Sequence, residues 1–306
     1  MKKKLLLTGA SGFLGWSLCR LALPHWEVFG IWHRQEIPIA GVRPLKADLM
    51  NFRELETAFR LAAPDAVIHA AAASKPDFCQ QHPRLSFRIN VEASATLADQ
   101  CAAKNIPFVF TSTDLVFDGD HPPYSENSPA HPINVYGEQK LRAEEEIRQR
   151  YPATVICRLP LLFGYSGGVT RTFTEQMIRA IEEGRPLTLF TDEYRTPVDA
   201  WSAAEGLLLA ATNWRGAVVH LGGKKRISRY EMGRLIETLL DAKSARITGI
   251  RRNEVSPPSP RPADVSLDSR KAFEWGYDPA ALETALKRSI LRYHNGFRPE
   301  ADISPP

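Results

Sequence analysis

Apolar positions along the first 160 residues fall into two alternating patterns. Short runs that are apolar on both faces, Lys4–Thr8, Glu27–Trp32, Val42–Lys46, Asp65–Ala70, Pro107–Ser112 and Thr154–Leu159, predict buried strands. Between them, Phe13–Leu23, Asn51–Ala62, Pro83–Lys104 and Asn134–Arg150 repeat apolar residues with a helical period. The strands stand too far apart for hairpins, so the sheet is expected to be parallel and covered by helices, a doubly wound α/β fold. Ligands of such sheets lie off the carboxyl ends of the strands. After Gly164 the regularity fades. The pattern there predicts helices over Thr170–Glu183, Ala200–Thr212, Ser269–Trp275 and Pro279–Tyr293, and one strand, Ala217–Leu221, closed by Gly222-Gly223. Arg251–Pro262 holds four prolines and reads as an extended loop, and Arg298–Pro306 as a frayed tail. The division expected is a sheet domain over residues 1–164, with 196–222 returning to it, and a smaller mixed α/β lobe from 165–195 and 223–306 docked over the ligand edge.

The first strand runs into LLLTGASGFLG, with glycines at positions 9, 12 and 15. Strand, tight glycine turn and helix expose backbone N–H groups and a helix dipole to a phosphate. The spacing is G-x-x-G-x-x-G. Lys2–Lys4 followed by leucines imitates the start of a secretion signal, but the apolar run breaks at Gly9, short of the roughly 7–15 residues needed.

Composition narrows the class. The chain has 306 residues, 43% hydrophobic and 24% charged, which is ordinary soluble usage. The net charge of +4 is scattered over Lys2–Lys4, Lys224–Arg226 and Arg251-Arg252 without interleaved aromatics, a pattern that argues against nucleic-acid binding. The four cysteines show neither C-x-x-C pairing nor metal spacing and read as free thiols of a reducing compartment, with no metal expected. No apolar stretch approaches the roughly 20 residues of a membrane span. A soluble, cytoplasmic protein with no membrane partner is expected.

The sharpest chemical signal is TSTDLVFDG followed by NVYGEQKLRAEEEI. It places Ser112 and Thr113 at a strand end, and Tyr136 and Lys140 on one face of a helix start, four residues apart. A phenol has a pKa of roughly 10, and a fixed cation beside it favours the phenolate and lowers that value. A hydroxyl from Thr113 completes a polar clamp on a substrate carbonyl, with Tyr136 as proton donor.

With TGASGFLG (Thr8–Gly15), Asp48-Leu49, HAAA (His69–Ala72), TSTDLVFDG (Thr111–Gly119), PINVYGEQK (Pro132–Lys140), RLPLLFG (Arg158–Gly164), RTPVDA (Arg195–Ala200) and RPADVSLD (Arg261–Asp268), the chain resembles an extended short-chain dehydrogenase/reductase. Within that superfamily it is similar to the dTDP-4-dehydrorhamnose reductase group. The resemblance spans nearly the whole chain and implies a Rossmann-type nucleotide-binding domain, with the smaller lobe binding substrate. It implies that Gly9, Ser11, Gly12, Phe13, Leu14 and Gly15 hold a pyrophosphate. Asp48 and Leu49 then flank adenine, and Ala70, Ala71, Ala72 and Thr111 pass under the cofactor. Thr113, Tyr136 and Lys140 form the implied catalytic set, Tyr136 and Lys140 also touching the cofactor. Asn90 falls where the family often has an active-site asparagine, or else braces the central helix.

The second strand ends in Trp32-His33-Arg34, with no carboxylate until Glu36. A carboxylate there selects NAD; Arg34, with His33 as a further donor, suits a 2′-phosphate instead, so NADP(H) is expected over NAD(H). Leu115 and Leu161 stand where the rhamnose-forming reductases carry aromatics, which leaves the particular sugar open. The function expected is an NADP-dependent reductase of a 4-keto nucleotide sugar, with a homodimer compatible. The alternatives are a nucleotide-sugar epimerase or dehydratase on the same scaffold, or a non-catalytic, NADP-binding regulatory subunit like the methionine adenosyltransferase beta subunit.

Overall fold

The computed structural model describes residues 1–37, 39–242 and 245–297; the expected tail from Arg298 lies outside them. The two patterns of the first half become a seven-stranded parallel sheet. Its strands are β1 (Lys3–Thr8), β2 (Trp26–Trp32), β3 (Arg43–Lys46), β4 (Ala66–His69), β5 (Phe108–Thr113), β6 (Val155–Leu159) and, from the second half, β11 (Ala217–His220). The spatial order is β11-β6-β5-β4-β1-β2-β3. The chain winds outward from β1 to β3 and returns to β4 on the other side of β1, so the switch point lies between β1 and β4. Each strand turns alternate side chains to opposite faces. Leu5 and Leu7 join Trp16 and Leu18 of α1 (Phe13–Ala22) and Ala203 and Leu207 of α8 (Ala200–Asn213) on one face. Leu6 joins Leu55 of α2 (Phe52–Ala62), Leu97 of α5 (Ala93–Lys104) and Ile147 of α6 (Val135–Arg150) on the other.

A further apolar cluster around Ile178, Met232 and Leu286 gathers α7 (Phe173–Glu182), α9 (Arg229–Leu239) and α11 (Leu282–Asn295) against β8 (Pro186–Phe190) and β13 (Arg246–Ile250), which pair in parallel. Two-residue strands tie this half to the sheet's rim: β7 (Leu162–Phe163) with β10 (Val198–Asp199), and β9 (Tyr194–Arg195) with β12 (Ile227–Ser228). A short α10 (Arg270–Glu274) precedes α11.

Every expected strand is present with its ends displaced by a residue or so, and the doubly wound architecture is as the pattern predicts. Three differences matter. The run Pro83–Lys104 is not one α-helix. It begins as α4 (Pro83–Phe87), passes through a π-helical turn at Arg88–Glu92 and continues as α5, preceded by an unforeseen α3 (Pro76–Gln81). Such π turns widen a helix locally, and this one carries Asn90. The strands β8 and β13 and the helix α9 were also unforeseen. The strands form because they pair with each other across some sixty residues, a gain no local window registers. Finally, the proline-rich loop starts with a 3₁₀ turn at Arg252–Glu254. All four cysteines are buried and unpaired, and no helix among the described residues is long and apolar enough to cross a membrane.

Candidate active site

The ends of β1, β4 and β5 open on a continuous groove made of three adjoining cavities of about 470, 410 and 470 Å³. The glycine turn forms its floor. Gly9 has a left-handed backbone (φ +72°), and a Cβ there meets Ala71 N at 2.8 Å. A Cβ on Gly15 would lie 2.0 Å from Gly9 O, so Gly15 allows α1 to begin against the turn. Gly12 differs. Its φ is ordinary, and a Cβ meets only Gly9 O, at 3.2 Å. Gly12 is also the N-cap of α1 and offers no side-chain cap, so the first-turn N–H groups are left facing the groove.

A buried hydrogen-bond chain locks the strand ends beneath. Ser94 Oγ donates to Asn90 O (2.8 Å), so His69 Nε2 donates to Ser94 Oγ (2.9 Å). His69 Nδ1 then accepts from Thr8 Oγ1 (2.6 Å), which accepts from Ala71 N (3.1 Å). Burial pulls His69 down to about 3, which keeps it neutral and this tautomer fixed. Asn90 is a brace: its Oδ1 accepts from Ala73 N (2.8 Å) and its Nδ2 donates to Gln139 Oε1 (3.0 Å), tying the π turn to α6.

The outer cavity is lined by Trp32, His33, Arg34, Asp48, Leu49 and Met50 with Gly9, Ser11 and Ala71. A carboxylate does reach this end, from Asp48 beyond β3. It is engaged: His33 Nε2 lies 3.7 Å from Asp48 Oδ2, and Met50 N donates to Oδ1 at 3.0 Å. Arg34 is exposed and makes no hydrogen bond or ion pair among the described residues.

The middle cavity gathers Ser11, Gly12, Phe13, Leu14, Gly15, Leu49, Ala70, Ala71, Ala72, Thr111, Thr113, Tyr136 and Lys140, so all the residues expected at the site line one groove. Their alignment comes from the start of α6. Asn134 Oδ1 accepts from Gly137 N (2.9 Å), and Gly137 packs so close to Leu115 O that a Cβ would sit 2.1 Å from it. Tyr136 is thereby set against Thr113.

The electrostatics correct one expectation. Burial pushes the Tyr136 phenol above its ordinary value; nearby Cys79 and Asp114 add to the rise, and Thr113 opposes it. Burial likewise pulls Lys140 down to about 7, with Glu144 and Cys79 opposing. The cation was expected to lower the phenol. Instead desolvation acts on both groups at once, and Lys140 Nζ sits 3.9 Å from the Phe110 ring centroid, held by the ring face.

The innermost cavity lies beyond Tyr136, where Phe13, Leu115, Leu161 and Leu162 give an apolar wall. Sequence reasoning assigned no role to its Glu193, Arg195, Arg229 or Arg261. Arg195 Nε lies 3.4 Å from Asp114 Oδ2, and its Nη2 lies 3.1 Å from Glu193 Oε1. Burial pushes Asp114 up to about 6, against the pull of Arg195. Arg229, pulled down to about 10 by burial, and Arg261 complete the cluster. The proline-rich loop closes this end: Ser259 N donates to Asp77 Oδ1 (3.2 Å), and Asn134 Nδ2 to Pro260 O (3.2 Å). Arg195 and Arg261 open the RTPVDA and RPADVSLD stretches; no local pattern marks Glu193 or Arg229 as site residues.

The groove fits a dinucleotide on this chain's own features. It has a glycine floor, uncapped helix N–H groups, a free guanidinium at one end and a buried Tyr–Lys pair at its centre. The family model described as the RmlD substrate binding domain matches residues 3–295. Methionine adenosyltransferase 2 subunit beta of Danio rerio is 27% identical over 306 residues, covering 97% of this chain and 93% of that protein. A probable low-salt glycan biosynthesis reductase of Haloferax volcanii is 28% identical over 285 residues, covering 92% and 95%. The crystal structure of dTDP-4-dehydrorhamnose reductase from Bacillus anthracis in complex with NADP superposes with a TM-score of 0.84 at 22% identity, covering 95% of this chain and 100% of that one.

Proposed function

Because the chain belongs to the RmlD substrate binding domain family, among the extended short-chain dehydrogenases/reductases, we propose that it is an NADP-dependent reductase of a 4-keto nucleotide sugar. The observation that carries this reading is the groove itself, with a glycine turn at one end and Thr113, Tyr136 and Lys140 at its centre, opening on an inner cavity that joins an apolar wall to buried arginines and carboxylates. In this reading residues 1–164 and 196–222 hold the cofactor, while 165–195 and 223–306 supply the substrate side. Arg34 takes the 2′-phosphate of the adenosine end through charge-assisted hydrogen bonds.

When bound, a nicotinamide supplies hydride to the carbonyl carbon. Tyr136 gives its proton to the carbonyl oxygen as negative charge grows there. Its high pKa suits a donor that holds its proton until that moment. Thr113 Oγ1 lies beside the phenol; its hydroxyl, which donates to Asp114 Oδ1 at 3.2 Å, turns to the same oxygen as charge grows there. Lys140 in its charged form favours the departing proton's phenolate. The arginines of the inner cavity, with Leu115 and Leu161, orient the sugar and its anionic tether. The test is NADPH oxidation against dTDP-, UDP-, GDP- and CDP-linked 4-keto-6-deoxy sugars, where one sugar of the panel is expected to be turned over.

A second reading has its own support in the similarity to methionine adenosyltransferase 2 subunit beta. A non-catalytic chain of that kind binds NADPH, turns over none of the panel and copurifies with a partner enzyme.

A further inference from the structure

The reductase reading leaves one buried charge pair unused, and the inference drawn from it rests on that reading of Lys140. Tyr136, Lys140 and Glu144 follow one another at intervals of four along α6, so their side chains share one face. Glu144 is 0% exposed. Arg158 on β6, 4% exposed, grips it as a fork: Nε donates to Oε1 at 3.0 Å and Nη2 to Oε2 at 2.7 Å. The guanidinium also lies over the Phe117 ring, 5.2 Å from its centroid. Two desolvated charges contribute little net stability over apolar residues of similar shape. What they do provide is a negative charge fixed one helical turn from Lys140.

Lys140 needs such a charge. It is 1% exposed, and its Nζ makes no hydrogen bond or ion pair among the described residues. The groups around it are the Phe110 ring from β5, the Cys79 thiol from α3, neutral His69 from β4, and Tyr136 and Glu144 from its own helix. Burial raises the Cys79 thiol, so it is protonated at neutral pH. Glu144, held in the Arg158 fork, is therefore the carboxyl group that acts on the amine.

We propose that the Glu144–Arg158 pair is a positioning element that favours the ammonium form of Lys140 over the Phe110 ring. The fork pins both carboxylate oxygens, so the charge cannot swing away from the helix. With Glu144 present, burial still pulls Lys140 down to about 7. Without it, desolvation acts unopposed by any carboxylate.

The test is ¹³C NMR titration of the lysine Cε resonances in the ligand-free protein, with Lys140→Met identifying the signal. Glu144→Gln/Arg158→Met removes both charges together and leaves no lone buried ion. Its Lys140 midpoint is expected to fall by a unit or more, a loss of about tenfold in the ratio of charged to neutral amine at a given pH. Glu144→Asp, which keeps the charge, is expected to hold the midpoint within about half a unit. Should the double variant not fold, Glu144→Gln/Arg158→Gln replaces it. An unchanged midpoint in the folded double variant overturns the proposal. NADPH-dependent turnover is followed in parallel, with its pH profile expected to move the same way. A midpoint that falls while the turnover profile stays put upholds the pair as the tuner of Lys140 and removes Lys140 from the chemistry.

Discussion

At Tyr136 and Lys140 the same burial drives two groups in opposite directions, the phenol up and the amine down. Tyr136→Phe removes one hydroxyl from a packed ring. It is expected to leave NADPH binding intact and to cut turnover by roughly 10²–10⁴-fold, the usual worth of general acid catalysis; stopped-flow or steady-state NADPH oxidation reads this. Lys140 also leaves a mark on stability. Its folded value of about 7 lies below its ordinary 10.5, so between these the unfolded chain carries a proton the folded chain has shed. Stability therefore rises with pH across that window, by up to about 1.4 kcal/mol per unit for one proton. From about pH 9 the buried thiols of Cys19, Cys101 and Cys157, all pushed up by burial, work the other way. Urea denaturation at pH 7, 8 and 9 is thus expected to show a wild-type slope that Lys140→Met lacks. Parallel slopes in the two proteins contradict a depressed Lys140.

Among the elements, the β1–turn–α1 unit separates glycines required by the packing from one that only lines the groove. Gly9 and Gly15 are held by the fold, one by its left-handed backbone and one by the approach of Gly9 O. Gly12 needs only a few tenths of an ångström of give to accept a Cβ. Gly15→Ala is expected to destabilise the protein by about 1–3 kcal/mol or more through overpacking. Gly12→Val is expected to fold with a near-normal melting temperature and to lose the cofactor-dependent thermal shift, its side chain occupying the groove before the α1 N–H groups. A Gly12→Val protein that still shows the full shift places the phosphate elsewhere. The capping of α9 belongs to this scale too. Ser228 and Glu231 form a reciprocal capping box, so the helix announces itself by S-x-x-E even where its apolar stripe is weak.

For the molecule as a whole, cofactor binding and folding are linked. At about 100 times its Kd, NADPH is expected to stabilise the chain by about 2.7 kcal/mol. NADP(H) is expected to bind at least tenfold more tightly than NAD(H), a gap of about 1.4 kcal/mol, which Arg34→Ala closes. Calorimetric titration of both cofactors measures it, and equal affinities in the wild type take Arg34 out of the site. The innermost cavity also exists only at this scale. Asp114 directly follows β5, Glu193 directly precedes β9 and Arg195 lies in it, Arg229 comes from the head of α9 and Arg261 from the proline-rich loop.

The local pattern of the chain was enough to foretell the parallel sheet, the tight glycine turn between strand and helix, and the Tyr–Lys helix. Each rests on neighbours in sequence: two-sided apolar runs of strand length, glycines three apart between strand and helix, and polar residues four apart on one helix face. Strand pairing across some sixty residues, between β8 and β13, depends on a partner that no window contains. The same holds for the polar cluster beyond Tyr136, assembled from residues up to about 150 positions apart. Only the tertiary structure, finally, decided the charges at the centre. The sequence places Lys140 one turn from Tyr136 and so predicts a cation lowering a phenol. Packing buried both groups and set Glu144 and Arg158 behind them, and desolvation, which depends on everything that surrounds a group, outweighed the neighbour that sequence could see.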